Sequence, residues 1–259
     1  TNEERRKMNE KIDLTFLQDS YSSRIKKEPV NDFEYLCTWY FGTSERSIKV
    51  CARRAYGDLR RNLQGISKMS DDDKKSWRSY IENEIIPNQI DKLFGLTEKI
   101  TAEKFKEWHY KACKEIIENS NCCNEYIKTA FSEGFTYGLA QKWLNMTLKY
   151  IGIMGKWNDE FERIKDSLHV PVDSYIIDAA WNKSEKIVLP LKEPKKERSN
   201  QYSKPSEYVE PWSKWNNYEV YYAFQESLAE SLIGDNKSPY EWEREAWLKQ
   251  KELSDSKSK

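Results

Sequence analysis

Along most of the chain, apolar positions recur at three- and four-residue steps, the spacing of one face of an α-helix. The run Asp-Phe-Glu-Tyr-Leu-Cys-Thr-Trp-Tyr-Phe opens the first such stretch near Asp32, and helical patterning resumes over 44–63 and 71–93. In the last of these, Trp77, Ile81, Ile85 and Ile86 share a face, and Ser70 or Asp71 is placed to cap its start. Pro87 predicts a break or kink there, because it lacks an N–H and its ring crowds the preceding turn. A further amphipathic helix is expected over 101–117, with Phe105, Trp108, Cys113 and Ile116 on or near one face. Next come a short helix over 121–131, a turn punctuated by Gly134 and Gly138, and a strong helix from Gly138 to about Ile153. Val170 to Asp173 reads as extended, since Pro171 disfavours the α region at the residue before it. Asp173 is then placed to cap a helix running through Trp181. Two last helices, over 217–232 and 239–248, carry Tyr221, Phe224 and Leu228 and then Trp242 and Trp247, aromatic rows that read first as core.

Around these helices the composition shifts. Residues 1–30 are highly charged with one apolar cluster at Leu14, Phe16 and Leu17, and are expected to form a loosely held arm or short helix. Residues 183–211, rich in Lys, Glu, Pro and Ser, predict a long surface excursion with at most a short strand over Ile187 to Leu191. Residues 249–259 read as a frayed polar tail. With no repeat of fixed period, the expected architecture is all-α: one helical domain over 31–248, a compact bundle of about eight to ten helices.

Composition narrows the function classes. Apolar residues make up 38% and charged residues 33%, yet 10 Trp, 16 Tyr and 9 Phe supply enough bulk for a core. The 43 basic and 43 acidic side chains cancel, so any grip on nucleic acid needs a local basic patch rather than a basic whole. Cys37, Cys51, Cys113, Cys122 and Cys123 form an odd set without C-x-x-C spacing, which reads as reduced thiols. With only His109 and His169 beside them, no metal or other cofactor is expected. No run approaches the roughly 18 apolar residues of a membrane span, and the opening Thr1 to Lys11 is charged rather than signal-like. The expectation is cytoplasmic residence without membrane contact, and no obligate protein partner is inferred.

The segment with chemical content runs from Phe131 to Trp181: F-S-E-G-F-T-Y-G-L-A-Q-K-W-L-N-M-T-L-K-Y-I, a spacer, then L-H-V-P-V-D-S-Y-I-I-D-A-A-W. A short helix, a Gly-containing turn, a long helix with a Lys near its head, and a V-P-V-D entry to another helix follow in that order. This resembles the helix-hairpin-helix DNA glycosylases. The 31 residues separating Lys142 from Asp173 look most like the archaeal type that acts on 8-oxoguanine. In that resemblance Lys142 is the nucleophile, Asp173 the carboxylate, and Gly134 and Gly138 form the turn on a DNA phosphate. The turn is looser than the family's L-P-G-V-G, and the cysteine ligands of the iron-sulfur branch are absent, since every Cys precedes Asp173.

Bond chemistry supports the same pair. Cleaving an N-glycosidic bond develops positive charge at the sugar C1′, which a carboxylate stabilises, while an amine can capture that carbon covalently. The amine must be neutral when it attacks, so burial or the carboxylate must relieve it of its proton. The target base must also leave the stack and enter a pocket, for which Tyr137, Trp143 and Trp181 offer rings. Gln141, Asn145 and His169 offer polar contacts, as does Gln64. Gly138, Lys142, Asn145 and Lys149 fall on one polar stripe at steps of four, three and four. Lys149 and the Arg53, Arg54, Arg60 and Arg61 run are candidates for phosphates.

Plainer readings stand beside these: Lys142 as a lysine on a solvated face, Asp173 as a helix cap alone, the arginine run as surface charge. The expected function is therefore a DNA glycosylase, with lyase activity, that flips out and excises a damaged or modified base in repair or in defence against viruses with modified DNA. The alternatives are a non-catalytic nucleic-acid- or protein-binding module on the same architecture and a purely protein-binding helical scaffold.

Overall fold

The structure, a computed structural model, describes residues 2–25, 30–63, 66–122, 134–191 and 208–257. About three quarters of those residues are helical. In chain order the α-helices are α1 (Asn2–Ile25), α2 (Phe33–Phe41), α3 (Ile48–Leu59), α4 (Asp71–Tyr80), α5 (Ile86–Phe94), α6 (Ala102–Cys122), α7 (Tyr137–Met154), α8 (Asn158–Ile164), α9 (Ser174–Lys183), α10 (Tyr218–Ser231) and α11 (Pro239–Lys257). Among the described residues the only β pairing is an isolated antiparallel bridge between Leu191 and Val209.

The starts of the helices are set by short polar side chains. Asp32, Ser47, Ser70, Thr136, Asp173 and Asn217 each accept a bond from a first-turn amide of α2, α3, α4, α7, α9 and α10, satisfying a donor that has no partner within the helix. Gly42 and Gly155 close α2 and α7 with the left-handed backbone that a residue lacking Cβ adopts without strain. Pro87 does not break its helix. A π turn over Ile81–Ile85 joins α4 to α5, with the Ile86 amide bonding five residues back to the Ile81 carbonyl, and this widened turn makes room for the proline ring.

Helix α7 is the axis of the molecule: every residue in it except Gly152 is buried. Along one side α3 packs with its small Ala52 and Ala55, and the Trp143 indole N–H donates to the Ala52 carbonyl at 2.9 Å. Helix α6 covers another side and contributes Phe105, Ala112 and Ile116 to the same core.

Three expectations about the ends and the excursion change. Residues 2–25 are a single helix whose second half is docked, because Phe16, Leu17 and Tyr21 are buried against α2 and α11. A buried ion pair between Asp13 and Arg244 ties α1 to α11, and burial pushes the Asp13 carboxyl up to about 6 against the pull of Arg244. The tail continues α11 through Lys257. The excursion, of which 192–207 lie outside the described residues, returns to the core, where Val209, Trp212 and Trp215 are buried. The short helix expected over 121–131 also falls outside them, apart from the last two residues of α6.

Candidate active site

Because α7 is enclosed, its polar side chains have to find partners inside the protein, and they do so in two stripes. Tyr137, Gln141 and Asn145, at steps of four, face inward. Lys142, Met146, Lys149 and Tyr150 face a cleft of about 600 Å³.

The geometry of the cleft begins with Lys142 and Asp173. The Lys142 ammonium lies 2.6 Å from Asp173 Oδ2, with side-chain exposures of 6% and 20%. The other carboxylate oxygen, Oδ1, accepts the Ile176 amide at 2.9 Å, so one side chain caps α9 and holds the lysine at once. Asp173 reaches this place because the extended segment before it is gripped by amide side chains. Gln141 accepts the Val172 N–H at 3.1 Å and donates to the Val172 carbonyl at 3.1 Å, while Gln225 of α10 does the same for Val170 at 3.0 and 2.9 Å. The two glutamines act as surrogate strand partners for a segment that Pro171 keeps extended.

Two turns further along α7, about 10.5 Å down the axis, a second pair lines the cleft. Lys149 Nζ is 2.8 Å from Glu243 Oε1, both side chains are 3% exposed, and the rings of Phe16 and Trp247 flank the ammonium. Glu243 Oε2 is buried without a hydrogen-bond partner among the described residues. On the α3 side, the Arg54 guanidinium pairs with Asp58 Oδ1 at 3.1 Å and donates to the Tyr40 hydroxyl at 2.8 Å. The Tyr150 hydroxyl donates to Asp58 Oδ2, which leaves its oxygen to accept from Tyr40 at 3.1 Å and closes a ring of four side chains. Burial pushes the Tyr40 phenol up to about 12 and Tyr150 well above its ordinary value, so both stay protonated donors.

The inward stripe is a different construction. Asn145 Oδ1 meets His109 Nε2 at 2.9 Å, and its Nδ2 donates to the Tyr221 hydroxyl at 2.9 Å and to the Val170 carbonyl at 3.2 Å. Tyr137 meets His109 Nδ1 at 3.1 Å, and His169 Nδ1 meets Tyr221 at 3.0 Å. Burial drives the His109 pKa down to about 3. His169 is lowered well below its usual range by burial and by nearby His109 and Lys106.

Several expected site residues therefore have other duties. Trp143 is core, packed against Tyr56, Trp77 and Phe135. Gln141, Asn145, Tyr137 and His169 are committed to internal hydrogen bonds and do not line the cleft, and neither does Trp181, half-buried on α9. Gly138 offers no amide to a phosphate: its N–H donates to the Trp215 carbonyl at 2.8 Å, and an added Cβ would lie 1.9 Å from the Trp212 carbonyl oxygen. Gly134 has the left-handed φ of +74° expected of a turn glycine, and the adjacent Phe135 amide donates to Asn121 Oδ1 at 2.8 Å. Lys149 is enclosed by its ion pair rather than offered to solvent. Arg54 belongs to the cleft wall, exposed Arg61 to its rim, and exposed Arg53 and Arg60 lie off it. Gln64 lies outside the described residues.

Asp58, Glu243, Trp247, Tyr150 and Phe16 were not among the expected site residues. They come from α1, α3, α7 and α11, and only the fold brings them together. Among the described residues no group of three His, Cys, Asp or Glu side chains is placed to hold a metal ion, and no helix is long and apolar enough to cross a membrane. No family model, curated protein or solved structure matches this chain.

Proposed function

We propose that this chain is a DNA base-excision glycosylase with lyase activity, built on a helix-hairpin-helix type of architecture. One observation carries the reading: an amine and a carboxylate 31 residues apart in sequence meet at 2.6 Å on the wall of a cleft large enough for an extruded nucleotide. In the proposed step Asp173 takes the Lys142 proton, the amine forms a bond to C1′ as the glycosidic bond to the base breaks, and the departing base carries off the proton that Asp173 has taken. Ring opening then converts the adduct to an imine, from which strand nicking by β-elimination follows. The cleft around Lys149 supports base binding, with Phe16 and Trp247 as ring faces and the unpartnered Glu243 oxygen as an acceptor for a base N–H. The base is a damaged or otherwise modified one, and the role is repair or defence against viruses with modified DNA.

Borohydride reduction during incubation with duplexes carrying modified bases or an abasic site tests the lysine. The wild-type protein is expected to give a covalent adduct and Lys142→Ala none; an equal adduct in the variant refutes the assignment. Asp173→Asn is expected to keep the α9 cap, because Asn also caps helices, and to lower base release by about 10²–10³-fold. A second reading, a non-catalytic nucleic-acid- or protein-binding module, is favoured by the closed Gly138 amide and the balance of charge. Its signature is duplex affinity without base release, and for a purely protein-binding scaffold, no duplex affinity at low salt.

A further inference from the structure

We infer that Tyr175 is the residue that enters the base stack beside the extruded nucleotide and fills the gap it leaves. This rests on the base-excision reading above and adds to it how duplex DNA is opened.

Of the described aromatic side chains lining the cleft, Tyr175 alone is largely exposed, at 54%, whereas Phe16, Tyr40, Tyr150 and Trp212 are buried and Trp247 is half-buried. No other described ring packs against it, so its aromatic surface contributes little to the core and stands in water. It is the second residue of α9, two positions after Asp173, which by chain geometry places its Cα within about 7.6 Å of the Asp173 Cα. The ring therefore stands at the lip of the cleft, beside the carboxylate proposed to act on the sugar. Exposed Arg24 and Arg61 line the same mouth, on α1 and after α3, and supply positive charge for the phosphates of a strand laid across it.

Extruding a nucleotide unstacks its neighbours, and a side chain inserted between them restores part of the lost stacking. A flat ring does this without regard to sequence because every base has a π-face. The interior rings are too enclosed to reach a duplex. Tyr175 is held on the first turn of a helix anchored by the Asp173 cap, so its Cα is fixed while its ring projects outward.

The test uses the full chain and a duplex with an abasic site flanked by 5-iodouracil, which crosslinks on irradiation to an aromatic side chain stacked on it. After borohydride trapping and irradiation, the crosslink is expected at Tyr175, retained in Tyr175→Phe and lost in Tyr175→Ala. With single-stranded DNA carrying the same site, trapping by Tyr175→Ala should match wild type, while on the duplex it falls about tenfold. A crosslink mapping elsewhere, or equal losses on duplex and single strand, overturns the wedge and leaves the lysine chemistry standing. Absence of any trapped complex with the wild-type protein overturns both.

Discussion

The two polar stripes of α7 are equally hidden from water and oppositely designed. On the inward stripe, Tyr137, Gln141 and Asn145 are neutral, and they are bonded to His109, Tyr221 and the backbone of 170–172. On the cleft stripe, Lys142 and Lys149 are amines, each held by one carboxylate and bordering an open cavity. A buried neutral network that is satisfied rigidifies what it touches. A buried ion pair contributes little net stability and leaves charge that a ligand can engage. Helical spacing places Gly138, Lys142, Asn145 and Lys149 on one strip, but the fold divides it: Asn145 turns inward, Gly138 is roofed by 212–215, and the two lysines keep the cleft.

The contrast can be broken most sharply at Lys149. Lys149→Met alone strands Glu243 in a site where both partners are 3% exposed, and is expected to cost about 3–5 kcal/mol in urea unfolding. Adding Glu243→Leu should recover most of that, while the double variant loses base recognition. A single variant as stable as wild type would mean that water reaches the pair. On the inward stripe, Gln141→Leu leaves the Val172 N–H and carbonyl unpaired and should cost about 2–4 kcal/mol. Since Val172 adjoins Asp173, activity per folded molecule should also fall, which no simple loss of stability explains.

The same inward stripe should also respond to acid. His109 and His169 are neutral in the fold, with pKa values below the ordinary 6.5, so the unfolded chain binds more protons below about pH 6.5. Stability should fall as pH drops through that point, by about 1.4 kcal/mol per pH unit for each histidine. Asp13, raised to about 6, is protonated more readily in the fold and offsets part of that slope between its ordinary 3.8 and 6. Urea midpoints measured from pH 7 to 5 should therefore decline; a flat profile would remove the buried-neutral assignment.

Much of the fold was legible because helix signals are local. The caps at Ser70 and Asp173, the extended Val170 to Asp173 and the span of α7 all follow from spacing and residue type within one segment. The docking of α1 was hidden: Phe16, Leu17 and Tyr21 are too few apolar residues to mark a core helix until the surfaces of α2 and α11 receive them. Pro87 predicts a break or kink, and the π turn that carries the helix through it has no one-residue signature. At the site, Lys142 and Asp173 were legible from order and context. Periodicity places Trp143, Gln141 and Asn145 on helix faces without saying what covers each face. The Arg54, Asp58, Tyr40 and Tyr150 ring, and Glu243 with Trp247, depend on segments that meet only in three dimensions.

Gly138 sits under the carbonyl of Trp212, so even an alanine methyl there would displace the 212–215 crossing. For anyone redesigning the protein, the head of α7 and that crossing form one unit: position 138 admits no side chain, and libraries aimed at Lys142 and its neighbours must hold glycine constant. The same contact joins residues some 75 positions apart, so the head of α7 is sealed only when the chain beyond the excursion lies across it.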